Sequence, residues 1–163
     1  MLPPWPGWEG LHPLVIHFPI ALLLVAPLFV ALAIVRPKHG SMFGLSALLL
    51  LALGTAAAFV AVETGEAAAT LATRTDVINA AIERHATMAE RARDLFAGLT
   101  VLYAVLLGLP RLVTKLSRRG WAMTTNAIFL ALLLGGSVVL ASAAHHGGML
   151  VHKYGVQAVL PPG

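Results

Sequence analysis

The sequence predicts an all-α integral membrane protein: a four-helix bundle with an extra amphipathic helical segment on the outer side, before the third span. Three observations carry this. Of 163 residues, 58% are hydrophobic and 11% are Asp, Glu, Lys or Arg, against about 25% charge in a soluble domain. The mean hydropathy is +0.84, and the charges cluster: none falls from His39 to Val62, and none from Gly120 to His152. The apolar runs are continuous, not alternating, which excludes a closed barrel and leaves helices to satisfy the backbone in lipid.

Crossing the hydrocarbon takes about 20 apolar residues as a helix. The first span is residues 14–35; Pro13 suits a first helical turn, while Pro19 and Pro27 leave carbonyls free and permit a kink. The second is residues 42–62, with Thr64-Gly65-Glu66 reading as a turn after it. From Asp76, residues Ile78, Ile82, His85, Ala89, Ala92 and Phe96 step by four and three, so residues 76–94 form a helix with one apolar seam. Thr75 is its N-cap and Asp76 favours its positive end. This helix runs into the third span, residues 95–109, which is short alone. The fourth span is residues 122–143, where Gly147-Gly148 suit a helix end. Residues 1–163 read as a single transmembrane domain, and no internal repeat or low-complexity tract stands out.

The loops orient the chain. One carries Arg36 and Lys38, another Arg111, Lys115, Arg118 and Arg119, and neither holds a carboxylate, so both read as cytoplasmic. The termini and the middle segment then lie outside, although Arg74, Arg84, Arg91 and Arg93 depart from the rule there. Trp5 and Trp8 suit the outer interface and Trp121 the inner one. The net charge of +4 is explained by these loops and not by a nucleic-acid partner. MLPPWPGWEG lacks the basic start of a secretory signal. All seven acids and every histidine but His39 fall on the outer side, which places the chemistry there. With no cysteine, the chain forms no disulfide, thiolate metal site, Cys-ligated iron–sulfur cluster or c-type haem attachment.

Histidine is the distinctive residue, with seven in the chain. His12 and His17 are five apart, so on a regular helix they point about 140° apart and suit two partners better than one small ion. A second cluster, Ala144-His145-His146-Gly147-Gly148, closes the fourth span, followed by His152-Lys153-Tyr154.

The opening HPLVIHFPIAL, the TGE after the second span, a lone histidine before the third and the closing AHHGGMLVHKYGV resemble the bacterial membrane family catalogued as domain of unknown function 2231. The resemblance covers nearly the whole chain. It implies a four-helix, histidine-bearing bacterial membrane protein, and the family's redox contexts suggest a b-type cytochrome; together with the loop charges, this gives an inner-membrane protein with both termini periplasmic. Carried over by motif, the histidines are His12, His17, His85 and His145. His152 stands where the family tends to have an aromatic and is not carried over.

Imidazole is a natural axial ligand of haem iron, and helical bundles build cofactor sites from facing side chains. The expected function is electron transfer by haem b near the outer face, as a subunit of a larger redox complex more than as a self-contained enzyme. Other redox subunits, a c-type cytochrome or a quinone are the expected partners, beside the lipid bilayer. His17 and His85 are the expected axial pair, with His145 and His12 next, and Arg74, Arg84 or Arg91 as cations for the haem propionates. Two other functions compete. The outer histidines with Glu66 suit copper, zinc or iron binding or transfer, and the chain could serve as a cofactor-free accessory anchor. His146 reads equally well as an interfacial residue, and His39 and His152 read better so. No nucleophile–base pattern suggests a hydrolase, and no span carries a mid-membrane charge of the kind a transporter uses.

Overall fold

Polar backbone in an apolar chain finds its partners within helices, and helices account for nearly all of the computed structural model, which describes residues 7–112 and 119–156. Their order is α1 (His12–Val15), α2 (His17–Val35), α3 (Gly40–Ala69), α4 (Asp76–Leu112) and α5 (Arg119–His152), with single 3-10 turns at Trp8–Gly10 and Pro37–His39. No strand occurs among the described residues. Four stretches are long and apolar enough to cross a membrane: His12–Val35, Pro37–Ala69, Asp76–Pro110 and Gly120–His152. The expected all-α membrane bundle is what the chain forms. Trp5 and the basic residues Lys115 and Arg118, used above to orient it, lie outside the described residues.

The helix ends differ from the sequence reading at three places. The first span pauses at Ile16, between α1 and α2. Pro19, four residues beyond Val15, has no N–H to offer the Val15 carbonyl, so the backbone loosens there. Thr64-Gly65-Glu66 is not a turn: α3 runs through it to Ala69. Thr64 supports that continuation by donating its hydroxyl to the Val60 or Ala61 carbonyl of its own helix, 2.9 and 3.1 Å away. Likewise, Gly147-Gly148 do not end the last helix, which continues to His152. The stop comes at Gly155, whose φ of +63° lies in the left-handed region that glycine reaches without strain. The amphipathic segment and third span do form one helix, α4, and the Thr75 hydroxyl accepts from the Ile78 N–H at 3.3 Å as its cap.

Consecutive helices pack antiparallel: α2 on α3 and α4 on α5 make two hairpins, which close through α3 against α4 and α2 against α5. Buried apolar residues run along the axis, with Tyr103, Phe96, Phe129, Leu23, Leu51 and Leu133 the largest. Polar groups inside are paired. Tyr103 stacks on Phe129 with ring centroids 4.2 Å apart and donates to Asn126 Oδ1 at 2.8 Å. Thr55 of α3 meets Thr100 of α4, Oγ1 to Oγ1 at 2.9 Å. Such contacts hold transmembrane helices together, since lipid leaves little hydrophobic drive between them. The outward residues are as apolar as the core, with Phe18 at 63% and Val138 at 70% exposure, as a lipid-facing surface requires.

A repeat absent from the sequence reading emerges from burial. In the first hairpin, Pro19, Leu23, Ala26 and Val30 of α2 are buried, and in the second Ala92, Phe96, Leu99 and Tyr103 of α4, at the same spacing. The offset of 73 residues, from Leu23 to Phe96, also relates His12 to His85. In the second helices, Ala47, Leu51, Ala58 and Ala68 of α3 correspond to Phe129, Leu133, Leu140 and Leu150 of α5, with an offset of 82 from position 51 to 133. The close helix approaches obey the same rule. A Cβ built on Gly54 would meet Leu22 and Leu23; one on Gly136 would meet Leu95, Phe96 and Leu99. The bundle is thus two copies of one hairpin plan around a pseudo-two-fold axis along the helices.

Candidate functional site

Two of the candidate histidines meet where α1, the N-terminal part of α4 and the C-terminal turns of α3 and α5 come together. His12 comes from the first turn of the first hairpin and His85 from the third turn of α4, the corresponding place in the second. They approach across the bundle, with ring centroids 6.4 Å apart and planes inclined by 70°. Both are half-buried.

Each ring is held in the same way. His12 Nδ1 donates to the Ala61 carbonyl of α3 at 3.0 Å, with Thr64 Oγ1 at 3.3 Å. His85 Nδ1 donates to the Ala143 carbonyl of α5 at 3.1 Å. A carbonyl only accepts, so both neutral rings carry their proton on Nδ1 and a lone pair on Nε2. Four residues beyond each carbonyl stands a glycine against which the ring lies: Gly65 against His12 and Gly147 against His85. Ala61 and Ala143, like Gly65 and Gly147, are equivalent under the offset that relates α3 to α5. The residue before each glycine also bonds back to the carbonyl four positions earlier, Thr64 to Val60 and His146 Nδ1 to Ser142, each near 2.9 Å.

The other sequence candidates sit apart from this pair. His17 opens α2 with its side chain exposed, and His145 is exposed on α5 beside His146, ring centroids 5.8 Å apart. The structure therefore brings His12, not His17, opposite His85. The pause at Ile16 does not change this: five residues still separate the two N-terminal histidines, and only the first faces the bundle axis. His39 and His152 are also exposed. Among the described residues no group of three or more His, Asp or Glu converges as a metal-ligand set.

Of the arginines, Arg74 is used locally, donating to the Ala69 carbonyl at 2.9 Å and to Asn79 Oδ1 at 3.2 Å, where it caps α3. Arg84 instead lines a cleft of about 690 Å³ with Asp76, Val77, Ala81, His146 and Tyr154. Arg84 is the neighbour of His85 in α4 and His146 the neighbour of Gly147 in α5, so the cleft lies at the same end of the bundle as the pair, although neither His12 nor His85 lines it. Sequence reasoning missed Gly65 and Gly147 as site residues; the A-x-x-x-G spacing shared by 61–65 and 143–147 was the available signal.

The fold and site define a class: a multi-pass, four-helix membrane protein with paired histidines at one end of the bundle. Residues 9–159 match the family described as "Predicted membrane protein (DUF2231)", and the chain belongs to that family. No curated protein and no solved structure matches it.

Proposed function

We propose that the protein is a membrane-embedded b-type haem protein that carries electrons near its outer face, with His12 and His85 as the axial pair. One observation carries the proposal: two imidazoles from separate hairpins come within 6.4 Å of each other, each with Nδ1 tied to a backbone carbonyl. That is the arrangement in which Nε2 is presented as a ligand and its orientation held by a second partner. An imidazole nitrogen lies about 2 Å from a bound transition metal. Two rings with centroids 6.4 Å apart are close enough for His12 and His85 to hold one metal centre between them.

The donor set also favours haem over a bare ion. A zinc or copper site draws three or four ligands from the protein, whereas haem asks for an axial one or two. His12 and His85 supply two. Bound haem would supply one-electron chemistry; the chain's part is to bind and orient it and to limit water. Leu23, Phe96 and the apolar core below the pair keep that side dry. Arg84, one position from His85 and open to the cleft, is the cation for a propionate carboxylate. The location in a bacterial inner membrane, with these helix ends periplasmic and a redox subunit or quinone as partner, belongs to the same proposal.

Spectra of the detergent-purified protein test it. Oxidised protein should show a Soret band, and dithionite should produce a sharp α-band. A colourless protein binding a stoichiometric transition metal would overturn the haem reading in favour of metal binding.

A further inference from the structure

The pseudo-two-fold repeat extends into the way each histidine is held, and glycine is what makes that fit possible. A Cβ built on Gly65 would lie 2.9 Å from His12 Cε1 and 3.2 Å from Nδ1; one on Gly147 would lie 2.9 Å from His85 Cε1 and 3.4 Å from Nδ1. At 2.9 Å something must shift. Each ring would have to tilt or withdraw, yet each is tethered through Nδ1 to a carbonyl one turn back on the same helix. Helix packing alone does not explain these glycines, because the atoms that crowd them belong to the imidazoles. Gly148, beside Gly147, and Gly135, further along α5, have nothing within 4 Å of a built Cβ.

We propose that Gly65 and Gly147 are positioning residues, one per hairpin, which with the Ala61 and Ala143 carbonyls form two equivalent seats fixing the tautomer and ring plane of His12 and His85. The ligand between the rings is thereby held on the pseudo-two-fold axis, with one imidazole contributed by each repeat. Any side chain at either glycine tilts one ring and leaves the other in place. This deepens the haem reading and rests on it only for the ligand's identity; the seats themselves are a property of the chain.

The test combines two readouts on Gly65→Ala and Gly147→Ala, with Gly135→Ala and Gly148→Ala as controls. The first is nitrogen NMR of histidine-labelled protein, dithionite-reduced so that a low-spin haem iron is diamagnetic. Wild type should show the Nδ1–H tautomer at His12 and His85. Gly65→Ala should lose it at His12 alone and Gly147→Ala at His85 alone, while the controls keep both. An Nε2–H tautomer at either ring in wild type would overturn the seats without any variant needing to fold. So would Ala variants with unchanged signals. The second readout is haem retention and the low-spin ferric resonance. Each seat variant should weaken retention by about tenfold or more, in line with losses seen when a partner of a metal-bound histidine is removed, and should shift the resonance. Unchanged retention and resonance in both would overturn the positioning role. A wild type without haem would sink only the haem proposal, and the tautomer measurement would still decide the seats.

Discussion

Where the first hairpin places Val30, Ala47 and Ala58 against the axis, the second places Tyr103, Phe129 and Leu140 at the matching positions. The plan is shared, while the volumes differ at these positions; Leu51 and Leu133 keep the same residue. An interior is packed to crystal-like density, so added bulk at a position in one repeat has to be matched by less bulk beside it. Dividing bulk unequally lets small residues of one repeat receive large ones of the other. The histidine end shows the opposite pattern. There His12 and His85, Ala61 and Ala143, and Gly65 and Gly147 keep their identity. Packing tolerates any complementary pair of volumes, whereas the two imidazole seats each need one donor, one acceptor and one missing Cβ. Of the eight matched buried pairs, Leu51 and Leu133 alone are identical, whereas the histidine, alanine and glycine pairs at the seats all are.

Removing the paired rings should have the largest effect. On the proposed ligation, with one ligand from each repeat, His12→Ala and His85→Ala should each abolish the six-coordinate haem spectrum, and to the same extent. His17→Ala should leave it intact. Loss of haem in His17→Ala with retention in His12→Ala would break the correspondence between hairpins.

The glycine crossings come next. A Cβ at Gly54 would come within 2.6 Å of Leu23 Cδ2 and 3.2 Å of Leu22 Cβ, whereas at Gly136 the nearest atom is Leu99 Cδ1 at 3.1 Å. Overpacking of this kind costs about 1–3 kcal/mol. Gly54→Ala should therefore destabilise more than Gly136→Ala in a micelle unfolding titration. The reverse order would mean that the first hairpin is the looser one.

Tyr103→Phe should cost less, about 1 kcal/mol or below, since it removes one interhelical hydrogen bond and keeps the stack on Phe129. Val30, its counterpart, has no polar group to lose, so the penalty is confined to the second hairpin. Smallest is Arg74→Ala, which removes the cap on the α3 C-terminus; hydrogen exchange should quicken in the last turn of α3 and leave α5 unchanged.

Much of this was legible beforehand. The four spans, the continuous α4 with its Thr75 cap, and the buried seam through His85, Ala92 and Phe96 follow from hydropathy and period. Helix ends were less so. Gly65, Gly147 and Gly148 read as breakers, yet glycine inside a membrane helix is tolerated where a neighbour fills the space its missing side chain leaves. The repeat was hidden because matched positions share burial more than residue type, and the two hairpins carry loops of different length. The choice of His12 over His17 was hidden for another reason: both lie on the same apolar stretch, and no period in so short a run tells which faces a partner.

The amino-acid sequence by itself determined the solvent, the number of crossings and the end of the bundle where most of the histidines gather. Those depend on the transfer energies of residues taken one segment at a time. Only the tertiary structure decided that His12 meets His85, that the halves repeat, and that two glycines carry imidazoles. Each of these depends on distances between residues some fifty or more positions apart, which helix packing sets and local pattern does not encode.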